Sequence, residues 1–128
     1  MDEGPALTLE LPRVPDAPRI ARRRLAGSFG SALEERQLQT ATLLTSELVT
    51  NALLHGQGSI TLLASLDQER LLVEVIDEGH GLEPPAERRR DSVGGFGLRI
   101  VDSEATRWGT HQGTTHVWFE LERSALPN

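Results

Sequence analysis

Ser46-Glu47-Leu48-Val49-Thr50-Asn51-Ala52-Leu53-Leu54-His55-Gly56 closes a long run in which apolar residues recur at helical spacing, through Leu38, Leu43, Leu44, Leu48, Ala52 and Leu53. The glycine supplies a stop. The spacing predicts one long helix ending at His55, and Ser31 with Glu34 stands at the separation of a capping box at its start. Glu47, Asn51 and His55 lie four residues apart, so successive members advance only ~40° around the axis and form one polar stripe. Two readings fit it. Either the stripe is exposed, with Thr45, Ser46 and Thr50 continuing a polar face, or it meets something polar. In the second case a carboxylate and a carboxamide among Leu44, Leu48, Ala52 and Leu54 need partners, because burying them alone costs on the order of several kcal/mol.

Downstream, Ile60 to Leu66 and Leu71 to Asp77 are apolar runs separated by Asp67-Gln68-Glu69-Arg70, which reads as an antiparallel hairpin. The second run ends Asp77-Glu78-Gly79-His80-Gly81. That is either an ordinary strand-ending turn or an acid placed to accept a hydrogen bond from a ligand, with glycines that let the ligand approach the backbone. Residues 78 to 97 hold five glycines, Pro84, Pro85 and the run Arg88 to Arg90, with no periodicity, as a functional lid or a disordered segment would. Gly94-Gly95-Phe96-Gly97-Leu98 then leads into a helix expected to run to about Ala105. Its successive amides either wrap phosphate oxygens or form a flexible hinge. It is no dinucleotide fingerprint, since Ile100 stands where a third glycine belongs. The C-terminal alternation sets Thr115, Val117, Phe119 and Leu121 against His116, Trp118 and Glu120, the pattern of a last strand.

Upstream, Leu7-Thr8-Leu9-Glu10-Leu11 alternates like a half-buried strand and Pro12 with Pro15 ends it. Asp16 is placed to cap a first helix through about Ala26, where Gly27 and Gly30 interrupt the pattern. The 128 residues, 38% hydrophobic and 25% charged, suit one domain, read as residues 6–122 between short tails at 1–5 and 123–128. Cysteine is absent, which removes disulfides, thiolate nucleophiles and cysteine zinc sites. All 13 basic residues are arginine, so a Schiff-base lysine and a P-loop are excluded, and any phosphate must be held by arginine, a metal or backbone amides. The formal charge of -6 argues against a nucleic-acid platform. Without a basic leader or an apolar run near ~20 residues, the expected location is cytoplasmic, with no membrane contact.

Singly these pieces are ambiguous, but their order is less so. An acid and an amide on a helix, a hairpin ending Asp-x-Gly-x-Gly, a lid and a glycine turn into another helix resemble the nucleotide-binding domain of gyrase-type topoisomerases, Hsp90 chaperones, sensor histidine kinases and MutL. With Ser46-Glu47-Leu48-Val49-Thr50-Asn51-Ala52 at its centre, the chain resembles the bacterial anti-sigma regulatory factor group of serine/threonine kinases over nearly its whole length. That likeness implies an α/β two-layer sandwich, with a mixed, mostly antiparallel sheet covered by helices on one face and ATP under a lid. It implies Asn51 as ligand to Mg2+ bridging the phosphates, Glu47 as general base toward a serine hydroxyl, and Asp77 as acceptor for the adenine amino group. Gly79 and Gly81 would shape the adenine pocket, and Gly94, Gly95, Gly97 and Leu98 would surround the phosphates. The implied partners are a sigma factor and an anti-anti-sigma protein, with a homodimer as the family's assembly. The alternative is a nucleotide-binding module that controls its partner without phosphotransfer. Two departures stand out. Val93 and Ser92 occupy the place of a basic lid residue, leaving Arg90 as the nearest candidate, and the last strand reads Thr115-His116-Val117-Trp118 where threonine usually directly precedes the valine-aromatic pair.

Overall fold

Every second residue of the three central strands is apolar, and a two-residue repeat puts all of them on one side of a sheet. In the computed structural model, which describes residues 5–79, 98–110 and 116–123, that side is the core. The strands β1 (Ala6–Leu11), β2 (Ile60–Leu66), β3 (Arg70–Asp77), β4 (Arg107–Thr110) and β5 (Val117–Glu122) form one sheet in the order β1-β2-β3-β5-β4. Each pairing among the described residues is antiparallel, the simplest form of the mostly antiparallel sheet expected. The register aligns Leu62 with Val75, Ala64 with Val73 and Val73 with Phe119, so the apolar positions of neighbouring strands stack side by side.

Two helices cover this face. Helix α1 (Ala17–Phe29) buries Ala17, Ala21, Leu25 and Phe29, and α2 (Glu35–His55) buries Ala41, Leu44, Leu48, Val49 and Ala52 along one stripe. The short α3 (Leu98–Glu104) adds Leu98 and Val101. The expected hairpin is present in the register set by Ile60 opposite Asp77 and Leu66 opposite Leu71.

Local rules gave way to packing at four places. Helix α1 does not end at Ala26 but runs through Gly27 to Phe29, with Gly30 as its cap. A glycine inside a helix costs about 1 kcal/mol, while burying a phenylalanine contributes roughly 1.5–3 kcal/mol, and Phe29 is completely buried. The box of Ser31 and Glu34 does not form. Glu34 itself sits extended at the N-cap of α2 without a side-chain cap bond, because Leu33 just before it is drawn into the core and its burial outweighs a cap bond of about 1 kcal/mol. Asp16 flanks α1 but spends its carboxylate on Arg19, at 2.9 Å, instead of the helix amides. Strand β4 lacks alternation and was not expected. It pairs with β5 so that Gly109 lies opposite Trp118, and a Cβ there would press on the indole. Trp108 on the other side packs against the core and donates its indole N–H to Asp102 Oδ1 at 2.9 Å.

Candidate functional site

Strand parity decides where the first polar group of the site points. Leu71, Val73, Val75 and Asp77 share the core face of β3, so the last residue carries a carboxylate into the layer between sheet and helices instead of out to solvent. Its side chain is wholly buried. Asp77 Oδ1 accepts the N–H of Gly79 at 2.7 Å, which closes the turn after the strand. The next N–H, of Glu78, donates to the carbonyl of Gln57 at 2.8 Å and ties the strand end to the segment after α2. At Gly56 there is no room for a side chain: a Cβ would overlap Asp77 Oδ2 and lie 2.8 Å from the carbonyl of Ala52. Glycine there is therefore both the stop of α2 and the gap through which the carboxylate reaches the helix end.

Facing it, the last two turns of α2 supply Asn51. The carboxamide is only 3% exposed, and its Oδ1 takes no hydrogen bond among the described residues. A buried amide oxygen without a donor costs about 1–3 kcal/mol, so its natural complement is a cation or a ligand donor. Asn51 and Asp77 line one small cleft together with Leu48, Ala52, His55, Gly56, Val75 and Val117. The structure thus divides the stripe expected on α2. Asn51 is buried, Glu47 one turn before it is half-buried and makes no hydrogen bond or ion pair among the described residues, and His55 one turn after it is exposed. Beside Glu47, Ser46 accepts a hydrogen bond from Arg22 at 2.9 Å.

Of the glycine-rich pieces, Gly79 belongs to the turn on Asp77, whereas Gly81, Gly94, Gly95 and Gly97 lie outside the described residues, as do Arg90 and Thr115. Leu98 begins α3 with its side chain 1% exposed in the core, which leaves only its backbone for a ligand. His116 does not take a place at this site. Its Nε2 meets Glu74 Oε1 at 2.8 Å, and Glu74 alternates with Val73 and Val75, on the sheet face opposite the core.

One residue that the sequence reading passed over belongs to the same corner. Arg13, between Pro12 and Pro15, donates from Nε to the carbonyl of Gly58 at 2.8 Å and from Nη1 to those of Ala52 and Leu53, each at 2.9 Å. Its Nη2 stands 4.0 Å from Asp77 Oδ2. The only available signal was an arginine held in a proline-flanked link directly after a strand.

The wider groove among the described residues, about 470 Å³ and bordered by Leu33, Glu34, Gln37 and Arg123, opens at the other end of the sheet. Its arginine is occupied with the carbonyls of Asp67 and Ala32, at 2.8 and 3.0 Å. Size alone therefore does not mark the site; the buried carboxylate and the amide oxygen do.

A buried acid at a strand end and an amide on the long helix thus share one cleft on the helix-covered face of an antiparallel sheet. The chain matches the histidine kinase-like ATPase domain over residues 10–120 and belongs to that family, which makes ATP its nucleotide. Among curated proteins it is similar to the anti-sigma F factor of Clostridium acetobutylicum, 36% identical over 67 residues that make up 48% of this chain and 47% of that one. The anti-sigma F factor of a Thermoanaerobacter species matches with the same identity and coverage. The chain thus spans about half the length of the curated relatives it matches. A crystal structure of the RsbU and RsbW domains of a Mycobacterium tuberculosis protein shares the fold, with a TM-score of 0.67 at 20% identity over 93% of this chain and 31% of that one. No helix among the described residues is long and apolar enough to cross a membrane.

Proposed function

We propose that the protein is an anti-sigma regulatory factor that binds ATP with Mg2+ between α2 and β3 and transfers the γ-phosphoryl group to a serine of an anti-anti-sigma protein. Capture and release of a sigma factor would follow the partner's phosphorylation. The observation that carries the reading is the pair Asn51 and Asp77, an amide oxygen without a hydrogen bond among the described residues and a wholly buried carboxylate, lining one cleft. It is supported by the family and by relatives named anti-sigma F factor.

Each residue type suits its task. Asp77 offers a fixed acceptor to the amino group of adenine. Asn51 offers a hard oxygen, the donor Mg2+ prefers when it keeps several waters and phosphate oxygens in its shell. When bound, that ion offsets charge on the phosphates. Glu47 is half-buried and makes no hydrogen bond or ion pair among the described residues, so it can take the proton of an incoming serine. The serine oxygen forms a bond to the γ-phosphorus, the bond to the β-phosphate oxygen breaks, and ADP leaves. Such transfer needs positioning and charge neutralisation more than covalent participation by the protein. The glycines at 81, 94, 95 and 97 are proposed to border the nucleotide, consistent with a chain that has no lysine for phosphate.

Incubation with labelled ATP, Mg2+ and the anti-anti-sigma protein tests the proposal. Label should move to the partner, and Glu47→Ala should reduce the rate at least ~100-fold while ATP affinity holds, the range expected for loss of a general base. Binding of ATP and of the partner with no label transferred by the unaltered protein would leave a regulatory module in place of a kinase.

A further inference from the structure

Arg13 does two things at once, and the second goes beyond holding the fold. The last carbonyls of a helix lack partners within it; the guanidinium donates to that of Leu53, adds a second donor to that of Ala52, which already accepts the Gly56 N–H at 2.8 Å, and reaches across to Gly58. A cation at a helix C-terminus is also favoured by the helix dipole. That work uses Nε and Nη1. The remaining nitrogen, Nη2, is buried and makes no hydrogen bond among the described residues; it faces Asp77 Oδ2 at 4.0 Å. The planar fork fixes this nitrogen once the other two are placed, and the flanking prolines restrict the segment that presents it. A buried carboxylate with a positive charge set beside one oxygen, and the Gly79 amide on the other, has few headings open to it.

We infer that Arg13 is a positioning residue for base selection: by clamping the end of α2 it sets Asp77 to distinguish 6-aminopurine triphosphates from purine triphosphates lacking that amino group. The inference rests on the reading of Asp77 as the adenine acceptor. It concerns a residue 64 positions upstream in the chain, which touches neither phosphate nor metal ligands in the reading above.

Calorimetric titration of the full chain with ATP and with purine riboside triphosphate tests it, using the unaltered protein, Arg13→Met, Asp77→Asn and the double variant. The unaltered protein should prefer ATP by roughly tenfold, the worth of one hydrogen bond to a charged group. Arg13→Met should lose most of that preference by weakening ATP alone, and should add nothing to the ratio once Asp77→Asn is in place. An equal loss of affinity for both nucleotides, with the ratio intact, would show a merely structural clamp and overturn the inference. If Asp77→Asn erases the preference but Arg13→Met keeps it, the inference fails and the role of Asp77 stands. If the unaltered protein shows no preference, both fall. Should Arg13→Met not fold, Arg13→Gln carries the same expectations.

Discussion

At one end of β3, Arg123 holds the carbonyls of Asp67 and Ala32, while Gln37 holds that of Glu122. At the other, Arg13 holds carbonyls in the same manner, yet the corner also contains Asn51 Oδ1 and Arg13 Nη2, both buried without a hydrogen bond among the described residues. The two ends use the same device, an arginine that gathers chain segments which the sheet and helices bring near one another. Both ends leave an arginine nitrogen buried without a hydrogen bond among the described residues and beside a carboxylate, Arg13 Nη2 at 4.0 Å from Asp77 and Arg70 Nε at 3.9 Å from Glu120. They differ in the amide oxygen of Asn51, which has no counterpart among the described residues at the far end. On the proposed function, the oxygen of Asn51 is the polar group held in reserve, and the protein carries its desolvation cost until the ligand arrives.

That contrast can be broken most severely at Gly56. Gly56→Ala puts a methyl group where Asp77 Oδ2 stands, and it should weaken ATP binding by roughly a hundredfold, as expected when a buried charged acceptor is displaced. Calorimetry on the folded variant checks this, and unchanged affinity would contradict the placement of the nucleobase. At the far end the outcome should be opposite in kind. Arg123→Met should lower the unfolding free energy by about 1–2 kcal/mol for the carbonyls left unpaired, with ATP affinity unaltered, measured by urea denaturation alongside titration. An effect on ATP there would erase the distinction between the ends.

The smallest effect concerns pH and the same far end. Asp67 Oδ1 accepts the N–H groups of Glu69 and Arg70 at 2.7 and 2.8 Å. These bonds, that from Arg70 first, lower its pKa below the ordinary 3.8. Because the folded value lies below the unfolded one, its contribution is present above 3.8 and is lost as pH falls through the lowered folded value. The difference in urea midpoint between the unaltered protein and Asp67→Ala should therefore be widest near neutrality and narrow on acidification. ATP affinity at neutral pH should not change. A difference independent of pH would remove the carboxylate from the account of this turn.

Much of the fold is legible in the sequence because its central elements obey a single period. Strands β2 and β3 stand out as apolar runs that bury every second residue, although Leu63, Leu72 and Ile76 make the other face partly apolar too, and the α2 repeat continues to a glycine. Asp77 shares the parity of Leu71, Val73 and Val75, which the structure shows to be the core face, while the likeness to a nucleotide-binding family rests on the order of the motifs from Ser46 to Leu98. The elements that escaped were those where tertiary packing overrules a local preference. Phe29 carries α1 past a glycine, Leu33 replaces a cap by a buried contact, and β4 pairs with β5 where Gly109 leaves room for the Trp118 indole. Arg13 escaped for another reason. Its partners are 39 to 64 residues away, and an arginine seen in one dimension gives no sign of which carbonyls it will meet.

The inward heading of Asp77 depends on an unbroken count of residues from the hydrophobic positions before it. One added or deleted residue between Leu71 and Asp77 would turn the acid to the opposite side of the sheet, whereas extra residues between Asp67 and Glu69 would only lengthen a bend at the surface. Length variation among working versions of this domain should accordingly collect in that bend and be missing from the strand.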